Sequence, residues 1–236
     1  MSKLVLSETD AQVLQLMRNA DVFTDLENHR ITNDEPTGSI CFTCADGHQI
    51  GDIYTRHSNI YEEEACIHTF GLNGGALLLA PNSPLLPLIF PEGVHAFLIQ
   101  QIDDAMKMKG INLCAIYTHF PCGAATSARL SIMDQLGLVV SAKTFLKKRF
   151  PTLKVPLFVH VHWPYRSGDS EQPPRPSMRR TYYMSGKHAE AWIVANRQLV
   201  IDYEADLRKK ALASAPPPAE RPSSPGVWIG TSVATR

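Results

Sequence analysis

Two short stretches, CFTCADGHQI at 41–50 and THFPCGAAT at 118–126, hold the residue types best suited to chemistry in this chain. The first places Cys41, Cys44, Asp46 and His48 within eight positions, and the second sets His119 three residues before Cys122. Two thiolates with one imidazole form a standard catalytic zinc set that leaves the fourth tetrahedral position to water. Sites of that kind lower the pKa of the bound water to about 7. Cys122 also stands just before a run that reads as a helix, where backbone N–H groups favour a thiolate. Cys41-x-x-Cys44 admits a second reading, a dithiol redox pair. That motif usually opens a helix, whereas Cys41 lies inside the apolar run ICFTC. Residues three apart on a strand face opposite ways, so Cys41 is expected in the core, together with Cys66 and Cys114.

The elements that must position these residues follow from the patterning of the chain. SETDAQVLQLMRNAD reads as a helix capped by Ser7 or Thr9, with Val13, Leu14, Leu16 and Met17 as its apolar stripe. ICFTC reads as a short buried strand between turns, GDIYTRHS as a weaker strand, and GALLLA as an apolar strand before Pro81. GLNGG at 71–75 lacks the Lys-Ser/Thr of a phosphate loop and reads as a strand-entry turn. PEGVHAFLIQQIDDAMKMKG is an amphipathic helix ending at Gly110, INLCAIYTH a strand, PCGAATSARLSIMDQLG a helix and KVPLFVHVHW a strand. GKHAEAWIVANRQLVIDYEADLRKKALAS reads as a long helix.

Strands alternating with helices predict an α/β fold with a mostly parallel central β-sheet flanked by helices. Cys44 and Asp46 then close one strand, and His119 and Cys122 close another. Ligands of open α/β sheets bind beyond the carboxyl ends of the strands. If those two strands are neighbours, the four side chains converge.

The 236 residues, 44% of them hydrophobic, can bury a substantial core. Residues 1–37 are expected as an N-terminal helical arm and 38–213 as the α/β zinc-binding domain. The Pro-rich stretch 164–178 is expected as a loop, and the Pro-rich tail 214–236 as disordered. The 23 basic and 23 acidic residues cancel, which points to no nucleic acid and no anionic membrane as partner. Lys147-Lys148-Arg149 and Lys209-Lys210 read as solvated helix ends. No apolar run approaches the ~20 residues of a membrane span. The N-terminus lacks a secretory pattern, and five scattered cysteines frame no disulfide scaffold. A reducing, cytoplasmic setting is expected. His160 and His162, alternate on a strand, share a face that either grips a metal or is simply polar. His57, His68, His95 and His188 have no companion at ligand spacing and are expected at the surface.

The motifs CAD at 44–46 and HFPCGAA at 119–125 resemble the paired zinc motifs of the β-class carbonic anhydrases, Cys-Ala/Ser-Asp-Ser-Arg and His-x-x-Cys-Gly. GDIYTRHSN at 51–59 is similar to that family's Gly-Asp-hydrophobic-x-x-x-Arg-Asn segment. The likeness covers roughly residues 38 to 165. It implies a β-carbonic-anhydrase-like fold and Zn2+ held by Cys44, His119 and Cys122. It implies further that Asp46 manages the proton and orientation of the attacking hydroxide. The implied activity is reversible hydration of CO2 to bicarbonate, or hydrolysis of a related heterocumulene such as COS or CS2. The implied assembly is a homodimer or larger, with the N-terminal helix as an exchange element. The chain departs from the family where His48 stands two positions after Asp46 in place of arginine. Arg56 or His48 would then have to hold the carboxylate off the metal. If neither does, the relative is catalytically silent, a zinc-containing binding or regulatory module.

Overall fold

The computed structural model describes residues 4–26, 38–60, 66–89, 92–163 and 179–198. A six-stranded mixed sheet is flanked by helices, with strand order β1-β6-β5-β4-β2-β3. The strands are β1 (Phe23–Asp25), β2 (Ser39–Thr43), β3 (Ile67–Gly71), β4 (Cys114–Phe120), β5 (Leu157–His162) and β6 (Arg179–Met184). β3, β2, β4 and β5 run parallel. β6 pairs antiparallel with β5, and β1 antiparallel with β6. The sheet is thus parallel through four consecutive strands, β5-β4-β2-β3, and antiparallel at its β6-β1 side.

From β2 the chain goes outward to β3 and then returns to lay β4 on the other side of β2. That reversal makes the carboxyl ends of β2 and β4 a topological switch point, the ordinary place for a crevice in such sheets.

Period-two alternation divides the strands between two layers. Ile40 and Phe42 of β2, Cys114, Ile116 and Phe120 of β4, and Leu157, Val159 and Val161 of β5 join the larger core. Helices α4 (Val94–Lys109) and α6 (Ile132–Arg149) cover it with Leu98, Ile102, Leu136, Val139 and Leu146. α1 (Glu8–Asn19) adds Val13, Leu14 and Met17 to the same core, and Ser7 caps it by accepting from the Asp10 amide at 3.1 Å. On the opposite face, Cys41, Ala115, Tyr117 and Phe158 pack under Ile53 of α2 (Ile50–Ser58). The chain continues through α3 (Leu85–Ile89), α5 (Gly123–Ser127) and a helix at 186–198, here α7.

Several expectations are corrected. GDIYTRHS is the helix α2, not a strand, because its buried residues Ile53 and His57 recur at a spacing of four and share one helical face. GALLLA is a 3-10 helix over Gly75–Leu79. Every residue of it is buried, so the run carries no period to separate strand from helix. PCGAATSARLSIMDQLG holds two helices, α5 and α6, with Arg129 at a φ of 56° between them. Cys66, expected inside, is exposed, while Cys41 and Cys114 are buried. The stretch 164–178 expected as a loop, the part of the expected long helix past residue 198 and the tail at 214–236 lie outside the described residues. Among the described residues no helix is long and apolar enough to cross a membrane.

His57, expected at the surface, is fully buried in the layer under α2. Its Nε2 lies 2.8 Å from Ser39 Oγ and its Nδ1 lies 2.7 Å from Tyr117 Oη. Burial pushes its pKa down from 6.5 to about 4. The folded state therefore resists a proton that the unfolded chain accepts below pH 6.5, and stability falls as pH drops from about 6.5 toward 4. His57 alone accounts for up to about 3 kcal/mol of that loss. The urea midpoint is expected to fall between pH 7 and pH 5, and His57→Gln to flatten the fall. An equal slope in both proteins would remove His57 as the cause.

Candidate metal centre

Cys44 follows β2 directly, His119 is the penultimate residue of β4, and Cys122 is the N-cap of α5. Pairing of β2 with β4 brings the two sequence motifs together. One ligand atom from each of Cys44, His119 and Cys122 lies within 4.8 Å of the other two. All three residues are buried. Among the described residues this group contains no carboxylate.

The donor set fits a metal ion. Neither ring nitrogen of His119 has an oxygen or nitrogen partner among the described residues, although the residue is 1% exposed. A buried imidazole whose polar neighbour is only the Cys44 sulfur is costly, and metal ligation at one nitrogen would remove part of that cost. The thiols are prepared unequally. Cys44 is pushed down to about 4 by the hydrogen bond from the Cys122 thiol, against its own burial, with the His119 imidazole and the Gly74 N–H adding to the effect. Cys122 is pushed up by the same neighbour and by burial, although the N–H groups of Ala124 and Ala125 at the start of α5 pull the other way. The sulfur pair thus gives up one proton readily and holds the second. A soft or borderline divalent cation would replace it.

Glycines shape the wall beside Cys44. Gly74 donates its N–H to Cys44 Sγ at 3.4 Å. Gly75 lies so close that a Cβ on it would come within 2.5 Å of Cys44 N and 2.7 Å of Thr43 C. GLNGG is therefore the cradle of a metal ligand and leads into a 3-10 helix, not a strand. The paired glycines hinted at close backbone approach, but their partner 31 positions earlier was not readable from the sequence.

Asp46 stands beside the group. Its Oδ1 accepts from the His48 backbone N–H at 2.9 Å, while its own carbonyl accepts from the amides of Gln49 and Ile50, both at 2.9 Å. One oxygen of the carboxylate is thus held by the main chain of residue 48. Arg56 is committed elsewhere, donating to Asp52 Oδ2 at 3.1 Å and to the Arg179 carbonyl at 3.2 Å. The His48 side chain is exposed.

His160 and His162 do share a face, but neither joins the ligand group. His160 is fully buried next to His119 in the β4–β5 register, with Nδ1 2.8 Å from Thr181 Oγ1 and Nε2 3.4 Å from Asp52 Oδ2. Burial, and then the positive surroundings, push its pKa down to about 3. His162 instead lines an open cleft of about 850 Å³ together with Cys44, Asp46, His48, Gln49 and Asn73. The metal group therefore borders a space that a small molecule can enter. No family model, no curated protein and no solved structure matches the chain, so its group of two thiols and one imidazole, with an accessory carboxylate at the mouth of a cleft, stands on its own geometry.

Proposed function

We propose that the chain is a zinc-dependent enzyme that hydrates CO2 reversibly to bicarbonate, or hydrolyses a related heterocumulene, on a β-carbonic-anhydrase-like α/β fold. The observation that carries this reading is the group Cys44, His119 and Cys122, three protein donors with Asp46 outside them. Three protein ligands leave a metal open to solvent, whereas four close it. When bound, zinc supplies the Lewis acidity that makes a nucleophile of water near neutral pH.

The chain's own residues do the rest. Cys44, Cys122 and His119 would hold the ion as two thiolates and an imidazole beside the cleft. Asp46, fixed through Oδ1 by the His48 amide, offers Oδ2 to the attacking water, orients it and takes up its proton. The cleft admits CO2 and lets bicarbonate leave.

Stopped-flow CO2 hydration by the zinc-loaded chain tests the reading. Turnover is expected, and Asp46→Asn is expected to retain zinc while losing about 10²-fold or more in rate. Zinc uptake without turnover would favour the catalytically silent alternative.

His48 supplies a further test. Because its main chain holds Asp46, His48→Ala should keep zinc and hydrate CO2 within about twofold of the unsubstituted rate. His48→Pro removes the N–H and should cost about 10- to 100-fold, the worth of a hydrogen bond to a charged group. A large loss in His48→Ala would show that the imidazole itself is used.

A further inference from the structure

Gln49 carries a role that the metal reading does not assign. It is the N-cap residue of α2 and is 3% exposed. Its side chain makes no cap hydrogen bond. Instead Nε2 donates to the Pro121 carbonyl at 3.2 Å, across 72 positions of sequence. Pro121 lies between His119 and Cys122, and its carbonyl belongs to the peptide that enters Cys122. The Gln49 backbone N–H meanwhile donates to the Asp46 carbonyl at 2.9 Å. One residue thus holds the segment bearing Cys44 and Asp46 with one hand and the segment bearing His119 and Cys122 with the other.

Chemistry indicates what the amide is for. Its Oε1 is buried with no partner, an arrangement that costs free energy. An apolar side chain of the same shape would fill the space without that cost. What the amide adds is the N–H at Pro121, and the Pro121 carbonyl also fixes which end of the amide faces it, since only nitrogen can donate.

We infer that Gln49 is a positioning residue of the metal centre, tying its two halves into one geometry by the hydrogen bond to the Pro121 carbonyl. The inference rests on the metal reading of Cys44, His119 and Cys122. Outer partners that orient metal ligands typically change affinity about 10- to 100-fold when removed.

The test uses the full chain with Gln49→Met, which keeps the shape and removes both hydrogen-bonding groups, and Gln49→Glu, which keeps the shape and loses the donor. Three quantities are measured: zinc affinity by chelator competition, the thiolate-to-metal charge-transfer and d–d bands of the Co(II) form, and the urea midpoint of the metal-free chain. Both variants are expected to bind zinc about 10- to 100-fold more weakly, with shifted Co(II) bands. A packing role alone would move the urea midpoint and leave the Co(II) bands in place. Should Gln49→Met fail to fold, Gln49→Glu decides. Unchanged zinc affinity and Co(II) bands in a folded variant, with the parent chain binding zinc, overturn the inference alone. A parent chain that binds no zinc overturns the metal reading and the inference with it.

Discussion

Cys44→Ser and Cys122→Ser are each expected to leave a folded chain that no longer retains zinc through gel filtration, where the parent holds one ion per chain. The reason lies in the donor set. With one thiolate replaced by a hydroxyl, only a thiol and an imidazole remain of the group of three, and the loss should exceed the ~10- to 100-fold typical of a second-shell change. The fold should survive, because serine keeps nearly the shape of the cysteine and the rest of the large core, from β2, β4, β5 and the helices over them, is untouched. The same pair sets the pH dependence of uptake. Cys44 is already lowered to about 4, but Cys122 is raised by its neighbour and retains a proton through the neutral range. Zinc must displace that proton, so affinity should climb with rising pH, by about tenfold per unit for one proton. Elemental analysis after desalting and chelator competition at two pH values check both statements. Full zinc content in either serine variant would remove that cysteine from the site.

Gly75→Ala is expected to damage stability and metal binding together. At a φ of 51° the position lies in the left-handed region, which costs an ordinary residue roughly 1–2 kcal/mol. The added Cβ would also meet backbone, not a yielding side chain: Cys44 N at 2.5 Å and Thr43 C at 2.7 Å. Either the end of β2, which leads into Cys44, or the 3-10 helix with the Gly74 N–H that meets Cys44 Sγ must then move, and both moves disturb Cys44. A loss of more than about 3 kcal/mol in urea unfolding is expected, with weakened zinc binding. Gly51→Ala is the contrast. Gly51 lies within α2, at ordinary φ and with open space where the Cβ would go, so a gain of about 0.5–1 kcal/mol is expected. Equal behaviour of the two variants would contradict the cradle.

The contrast between those glycines marks how far the sequence alone could reach. The grouping of Cys44, His119 and Cys122 was legible because its residues are local to two strand ends: Cys44 and Asp46 close one apolar run, and His119 and Cys122 close another. α/β alternation was enough to bring strand ends together, and the caps at Ser7 and Gly110 marked their helices. α2 was misread because one of its two fully buried residues, His57, is polar and breaks the apolar pattern that would have announced a helix. The 3-10 helix at Gly75–Leu79 was misread because burial on every side erased its period. β1, three residues long, enters the sheet by pairing with β6 across more than 150 positions, which no local pattern encodes. The grip of Gln49 on Pro121 and the approach of Gly75 to Cys44 are likewise non-local, across 72 and 31 positions. What the residues could not display was the partner, and at this site the partners fix the geometry.

The measurement that bears most directly on the central claim is zinc K-edge X-ray absorption of the full chain. A metal held by Cys44, His119 and Cys122 with solvent in the fourth position predicts two sulfur scatterers near 2.3 Å and two nitrogen or oxygen scatterers near about 2.0–2.1 Å. One sulfur or none would contradict the assignment of the site.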